Sequence, residues 1–247
     1  YQRHRRRLRD YLFAYIGSLA PLGSALSGVV NPLLSKRWVQ NFGERMLGIA
    51  ARRPFPKFAP RHRLNRWQPV PISPRPDLLL LSDVFSHYFH PEIEQATLKV
   101  LEAAGFCVRP IPLLGAGRTW ISKGFLQTAK RHAQRLLQLL RALDPQGHMP
   151  VIGIEPSELY TLCEEFLDFF PRDEWVHSLA KRAWLVDEFL IRPQPGGEIP
   201  VERLARRMLS QPNGKLVLLH GHCHQKARPP ADDGYPVGVE ATASLLR

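Results

Sequence analysis

The stretch DLLLLSD, residues 77–83, sets the fold class that the rest of the sequence must fit. Its four consecutive leucines form a continuous apolar run, which is typical of a strand covered on both faces in a parallel sheet. Residues 90–105 then predict a helix, because Pro91 suits a first turn and Gly105 suits a C-terminal cap. A strand followed by a covering helix is the repeating unit of the α/β class.

The same alternation continues along the chain. Further strands are predicted at FCVRPIPL (106–113), VIGI (151–154) and KLVLL (215–219), and the prolines place the first of these at a sheet edge. The predicted helices include residues 90–105, 174–190, 201–209 and 237–247. We therefore expect an α/β fold with a mainly parallel sheet and flanking helices, whose ligands gather in the loops after the carboxyl ends of the strands.

The chain also carries a weak internal repeat. LLLLSDVFSHYFHP (78–91) parallels LVLLHGHCHQKARPP (216–230), roughly 139 residues later. This repeat predicts two pseudo-repeated halves in one domain. The second half is expected to be truncated, because Arg247 falls within a predicted helix, and Tyr1 in place of methionine suggests that the first end is cut as well.

The composition limits the function classes. At 247 residues and 44% hydrophobic, the chain is long and apolar enough to bury a core, and its sequence predicts neither a spanning helix nor a signal peptide. We expect a soluble protein. Three widely spaced cysteines argue against a disulfide framework, fit a reducing compartment, and are too few for a site with four thiolate ligands.

The N-terminal third holds the basic charge. Residues 1–76 carry 15 Lys and Arg against 2 acids, a balance of +13, whereas residues 77–247 carry 19 against 20. Helices are predicted at 8–20 and 36–49, and the proline-rich residues 53–76 are expected to form an extended, solvated connector. We divide the chain into a basic helical segment with a linker (1–76) and an α/β domain (77–247). A solvated connector is the favoured role for the charge, and no motif indicates a nucleic-acid partner.

The stretch HGHCHQKA, residues 220–227, is the strongest candidate for a metal site. Imidazole and thiolate are common ligands of zinc, copper and iron, and here His220, His222 and His224 surround Cys223 just after a predicted strand. The alternative is that these are hydrogen-bonded loop residues beside a buried cysteine.

Two further loops fall at predicted strand ends. GAGRT (115–119) is expected to be a tight turn, and the alternative is an anion cradle assisted by Arg118 and Lys123. In the loop after VIGI, Glu155 can reach the same edge, and Ser157 is predicted to cap the next helix.

The other cysteines and a pair of aspartates have structural interpretations. Cys163 and Cys107 are predicted to lie in the core, and Asp232 and Asp233 in a turn. Neither of these cysteines is then free to bind a metal.

The order of these motifs resembles the cysteine-rich CCG domain at the C-terminus of FAD-linked oxidases with iron–sulfur centres. These are proteins like D-lactate and other D-2-hydroxyacid dehydrogenases, related to the iron–sulfur subunits of glycolate oxidases and to heterodisulfide reductases. The resemblance covers about residues 78–247 through FSHYFHPE, VLEAAGF, GRTWISKGF, GIEPSELYTL, DEFL and HGHCHQKA.

Only Cys223 matches a cysteine of this family. The family's other cysteine positions fall at about Val84, at Gly115 and Ala116, where Gly117 matches the glycine of a Cys-Cys-Gly, and at Glu158. The resemblance therefore implies that the first half holds no cluster. A matching Cys-Cys-Gly of the second half is expected after Arg247. Cys223 would then be one ligand of an interrupted iron–sulfur set.

The resemblance also implies which residues surround that ligand. His222 and His224 would tune or cover the site, and Arg118 and Glu155 are further candidates for contact with the cofactor.

The resemblance implies a function for a longer protein. The chain would be the iron–sulfur electron-transfer segment of a flavin-dependent D-2-hydroxyacid dehydrogenase or oxidase, with FAD in an upstream domain absent from this chain and no catalytic residue of its own. Its implied partners are the upstream flavin and ferredoxin-like domains and a quinone or cytochrome acceptor. The expected location is cytoplasmic, with peripheral contact to the inner face of the membrane through the basic segment.

Three alternatives stay open at this point. The chain could be a stand-alone iron–sulfur electron-transfer subunit, a zinc-dependent hydrolase using the HGHCH cluster, or a non-catalytic interaction module.

Overall fold

The computed structural model describes residues 6–64, 76–207 and 216–247. Within them lies a four-stranded parallel sheet of order β2-β1-β3-β4, formed by β1 (Leu78–Leu81), β2 (Val108–Pro110), β3 (Val151–Gly153) and β4 (Ala183–Leu185). The prediction of an α/β fold with a parallel sheet is confirmed, and β2 lies at the predicted edge.

Helices surround the sheet on both faces. Their bounds are α1 (Leu8–Ala14), α2 (Ile16–Ala25), α3 (Ser27–Leu34), α4 (Arg37–Leu47), α5 (Arg61–Leu64), α6 (Val84–Tyr88), α7 (Pro91–Ala103), α8 (Arg118–Ser122), α9 (Leu126–Leu143), α10 (Pro156–Cys163), α11 (Glu165–Phe169), α12 (Glu174–Lys181), α13 (Val186–Leu190), α14 (Pro200–Arg207), α15 (Cys223–Ala227) and α16 (Gly238–Leu245). The single helix predicted at 174–190 is wrong, because β4 separates α12 from α13.

The central strand β1 explains why helices cover both faces of the sheet. The four leucines of β1 are at most 2% exposed, and their side chains alternate between the two faces of the sheet. Leu79 and Leu81 pack in a cluster with α9, α10 and α12, whereas Leu78 and Leu80 pack with α7 and α13. A strand covered on both faces must be apolar at every position, which is why the leucine run predicts this fold.

The N-terminal helices pack onto this unit through residues 58 and 59. The side-chain amide of Asn31 donates to the carbonyl of Phe58 and accepts from its N–H, both at 2.9 Å. The N–H of Ala59 donates to the carbonyl of Tyr88 at 2.7 Å, and its carbonyl accepts from Ser24. The predicted solvated connector is therefore wrong at these two residues, and residues 65–75 of that prediction lie outside the described ranges.

Leu216–Leu219 do not form the strand predicted for KLVLL, whose Lys215 lies outside the described ranges. Leu216 is fully exposed and Leu218 is 94% exposed. An apolar run forms a strand only where another strand completes its ladder, and none of the four described strands pairs with this one.

In the part of the chain that the structure describes, no helix is long and apolar enough to cross a membrane.

Candidate functional site at the carboxyl edge of the sheet

The loops that follow β1, β2 and β3 meet at the carboxyl edge of the sheet. The N–H of Gly115, in the loop after β2, donates to the carbonyl of Ser82, just after β1, at 2.7 Å. The loop after β3 brings Glu158 against the same turn. The loops after β1, β2 and β3 therefore form one cluster, which includes two of the stretches assigned to this edge from the sequence, GAGRT and the loop after VIGI.

Glu158 is the centre of that cluster. One of its carboxylate oxygens, Oε2, accepts the backbone N–H groups of Ala116 at 2.6 Å, Gly117 at 3.0 Å and Arg118 at 3.2 Å. The turn can present three successive N–H groups because Gly115 and Gly117 adopt positive φ angles of 64° and 95°. The GAGRT stretch is thus a tight turn that cradles an anion, and the anion is a side chain of the same protein.

Two buried carboxyl groups share this edge. Burial raises the pKa of Glu158 to about 7, although the N–H groups of Arg118 and Ala116 oppose that shift and the charges of Glu155 and Asp83 add to it. Burial also raises the pKa of Asp83, whose Oδ1 accepts the N–H groups of Phe85 and Ser86 at the start of α6. Its Oδ2 is buried without a hydrogen-bond partner. The carboxyl edge can therefore hold a proton near neutral pH.

Glu155 caps α10, where the sequence predicted Ser157. Its Oε2 accepts the N–H of Glu158 at 2.7 Å and the hydroxyl of Ser157 at 2.6 Å. The prediction of Ser157 as the cap is wrong because the longer carboxylate one position before Pro156 reaches the orphan N–H group of the first turn.

The structure brings two of the predicted site residues, Glu155 and His222, together. The Nε2 atom of His222 lies 3.7 Å from Glu155 Oε1. The Nδ1 atom of the same ring accepts the N–H of His224 at 3.2 Å, so in the neutral ring the proton sits on Nε2 and points toward the carboxylate. In this arrangement neither nitrogen of His222 offers a free lone pair to a metal.

His224 and Cys223 lie beside His222 at the start of α15. The rings of His222 and His224 stack with their centroids 5.5 Å apart, and Cys223 is exposed. No group of three or more His, Cys, Asp or Glu side chains that could hold a metal ion occurs among the described residues, which include His220.

Arg118 and Lys123, the cations predicted to assist an anion site, have other partners. The Arg118 guanidinium pairs with Glu165, and only its backbone N–H reaches Glu158. The Lys123 ammonium lies 3.6 Å from Asp10 of α1. The anion is therefore held by backbone groups.

Of the remaining predictions on cysteines and aspartates, two are confirmed and one is wrong. Cys163 is buried in the core as predicted, and burial raises the pKa of its thiol to about 11. Cys107 is only half-buried, so the prediction that it lies in the core is wrong; its backbone pairs with Asp77 at the amino end of β1 and β2. Asp232 and Asp233 lie in the predicted turn, closed by the N–H of Gly234.

A small cavity of about 290 Å³ adjoins this edge. It is lined by Glu158, by Trp120 and His132, and by Gly17 and Ser18 of α2. The Nε2–H group of His132 donates to the carbonyl of Gly115 at 2.9 Å. The N-terminal helices therefore form one wall of the site. Sequence reasoning did not single out Glu158 and Asp83 as site residues. Asp83 closes the stretch that predicts the first strand, which is a signal that could have indicated it, whereas Glu158 lies four residues after the strand predicted at 151–154 and has no comparable signal.

The chain is similar to three curated proteins named D-2-hydroxyglutarate dehydrogenase. It is 24% identical over 243 residues to one from Pantoea ananatis, 22% identical over 240 residues to one from Pseudomonas putida and 23% identical over 236 residues to one from Escherichia coli. These alignments cover 94%, 93% and 90% of this chain but only 22%, 22% and 21% of the relatives.

The chain thus spans about a fifth of the length of these dehydrogenases, to which it is related at low identity. No family model matches the chain, and no solved structure matches it.

Proposed function

We propose that this chain is the iron–sulfur electron-transfer segment of a flavin-dependent D-2-hydroxyacid dehydrogenase. The similarity to D-2-hydroxyglutarate dehydrogenases over nearly the whole chain supports the oxidoreductase assignment. Oxidation of the hydroxy acid is assigned to a flavin domain outside this chain. In this proposal the chain supplies a docking surface and one cluster ligand, and a quinone or cytochrome is the electron acceptor of the whole dehydrogenase.

One observation carries the iron–sulfur part of the proposal. The positions that match the resembling family's first-half motif come together at one edge of the sheet: its cysteines at Val84, Gly115, Ala116 and Glu158, and its glycine at Gly117. The parallel sheet brings the loops after its strands to this edge, and the support for the proposal is that these loops hold the positions where the resembling family has its cysteines. Here they carry no thiol, and the carboxylate of Glu158 fills the centre.

Cys223 reaches the same edge through its neighbour. His222 lies against Glu155, whose other oxygen caps the helix that bears Glu158. The exposed thiol of Cys223 is therefore in the region where the family places its cofactor chemistry.

The residues present do not complete an iron–sulfur site. Such clusters are held mainly by four thiolates, and Cys223 is the one cysteine at this edge, since Cys163 is in the core and Cys107 lies at the amino end of β1. In our proposal the chain holds and orients one ligand, and further ligands come from residues outside the chain.

The test compares metal content in a polypeptide extended beyond residue 247 along its natural gene. Iron, acid-labile sulfide and zinc are measured after anaerobic purification. We expect stoichiometric iron and sulfide, and we expect C223S to lose at least half of both, because a missing thiolate leaves the cluster exposed to loss.

C107S is the matched control and should retain the full iron content. Full iron in C223S would contradict the role of this cysteine, and zinc without iron or sulfide would replace the proposal with the hydrolase alternative.

A further inference from the structure

The N-terminal helices expose an apolar stripe that the α/β unit does not cover. We define the stripe as Trp38, Phe42 and Met46, which lie four residues apart on one side of α4 and are 64%, 62% and 57% exposed. Large side chains of this kind are normally buried, so three in a row on one helix face mark a contact surface.

A second apolar row precedes the stripe in the chain. Leu22, Leu26, Val29 and Leu33 follow helical spacing through α2 and α3, and each is at least 44% exposed. The two rows are joined by a short turn that carries exposed Lys36. Exposed apolar rows therefore occur on three consecutive helices, and we call them together the apolar surface.

Packing on the opposite side fixes the outward direction of the stripe. Gly43 is buried, and a Cβ atom at this position would lie 3.1 Å from the ring of Phe55. The same chain segment continues to Phe58, which is held by Asn31 of α3. Rotating α4 to bury the stripe would break this contact, so the exposure follows from the fold.

Basic residues predominate in the segment that carries the apolar surface. Residues 6–64 contain eleven Lys and Arg but only two acids, Asp10 and Glu44, and Asp10 already faces Lys123. On α4 itself Arg37, Arg45 and Glu44 are all exposed. The helices that carry the apolar surface thus have a strong net positive charge.

We propose that the stripe docks on an anionic phospholipid surface, with Trp38, Phe42 and Met46 entering the headgroup region and the basic residues contacting lipid phosphates. Amphipathic helices with aromatic side chains on one face and Lys or Arg around them bind membranes in this way. A strong excess of positive charge attracts without fixing a register, which suits a laterally uniform lipid surface better than a protein partner, where alternating charges set the register.

The test uses the 247-residue protein and two kinds of vesicle in a sedimentation assay at low salt. One kind is pure phosphatidylcholine, and the other contains a third phosphatidylglycerol. We expect the parent protein to bind the anionic vesicles. The affinity for these vesicles should fall roughly tenfold or more in W38S/F42S/M46S and in R37E/R45E.

Matched controls change the same kinds of residue elsewhere. I93S/L126S removes exposed apolar side chains of α7 and α9, and K99E/R131E reverses charges on the same helices. Both should bind as the parent protein does. Circular dichroism melting of every variant checks that each is folded.

Three outcomes would overturn the proposal. They are equal binding to both vesicle types, unchanged binding by the stripe variants, and a parent protein that ignores vesicles but forms a dimer that W38S/F42S/M46S abolishes. The last result would assign the surface to a second copy of the chain. None of these measurements depends on iron content, so the iron–sulfur proposal stands or fails separately.

Discussion

Glu158 acts as an internal ligand for the turn at residues 115–118. Three N–H groups converge on one of its oxygens while the side chain is only 3% exposed. A charged acceptor strengthens such hydrogen bonds, whereas burial favours the protonated form. The balance of these two effects leaves the group titrating close to neutral pH.

We predict that Glu158 makes the protein less stable as the pH rises from about 4.5 to about 7. Burial raises its pKa to about 7 in the folded state, above the 4.5 of an unperturbed glutamate, so the folded protein binds more protons in this window. The free energy of unfolding should fall by up to about 1.4 kcal/mol per pH unit from this group. In E158Q this contribution should vanish, as measured by urea unfolding at pH 5 and pH 7.5.

The control for this prediction is E174Q, which changes an exposed glutamate at the start of α12. Its pH dependence should match that of the parent protein. If the free energy of unfolding of E158Q falls with pH as steeply as that of the parent protein, the Glu158 carboxylate of the parent is ionised over the whole pH range. Asp83, whose pKa burial also raises, contributes in the same direction and is left intact in both variants.

The neighbouring sequence indicated the structural role of some residues but not of others. Cys163 could be assigned to the core because Leu159, Leu162 and Phe166 follow the same helical spacing. Glu158 could not be assigned, since its partners are backbone groups about 40 residues away in a turn whose shape depends on two glycines. Contacts to backbone leave no residue pattern to read.

At the scale of elements, α16 is joined to the sheet domain through α13. The N–H of Gly238, the first residue of α16, donates to Glu188 Oε1 at 2.8 Å, and the Tyr160 hydroxyl donates to the same oxygen at 2.7 Å. Glu188 is fully buried, and the hydroxyl of Thr242 bonds to the neighbouring Asp187. These bonds hold the helix pair that carries Cys223 in place.

We predict that G238A releases α15 and α16 from the domain. Gly238 has a φ of 60°, and an added Cβ would lie 2.1 Å from the carbonyl oxygen of Gln225 in α15. Backbone strain alone costs about 1–2 kcal/mol, and the clash adds to it because the obstacle is backbone. Amide hydrogen exchange should become faster throughout residues 223–245, with a lower melting temperature.

G234A is the matched control for this change. Gly234 also has a positive φ, 73°, but open space lies where its Cβ would be. It should show the strain cost without faster exchange in α15 and α16. Equal effects of the two substitutions would indicate that close packing at Gly238 does not hold the helix pair.

A strand or helix could be predicted where its own residues show which of its faces are buried. The leucine run of β1 has this property, because every position faces one of two cores. Residues 183–185 form β4 inside what the periodicity presents as one helix, since three residues are too few for a period to show. Leu216–Leu219 have the strand composition but not the pairing, which lies outside their own sequence.

At the scale of the whole molecule, the basic helices and the α/β unit make extensive contact. The Thr119 hydroxyl donates to the carbonyl of Ala14, an Arg6 guanidinium N–H donates to the carbonyl of Gly124, and Tyr11 packs edge-on against Phe125. Composition separates the two parts sharply, yet these contacts fix α1 against α8 and the start of α9. Charge and proline content therefore indicate how the chain is divided in sequence but not how its parts pack.

Asn31 is the residue through which this packing can be tested. We predict that N31A lowers the free energy of unfolding by roughly 1–3 kcal/mol. The two hydrogen bonds to the backbone of Phe58 are lost, and the N–H and carbonyl of this half-buried residue lose their side-chain partner. Loosening residues 55–59 should also speed tryptic cleavage after Lys57. N41A, an exposed asparagine of α4, is the control and should change neither property. If N31A unfolds and is cleaved like the control, the N-terminal helices are held to the α/β unit mainly by other contacts, namely α1 against α8 and α9 and α2 against Val84 and Phe89. The exposed stripe on α4 would then be able to reorient independently of the site.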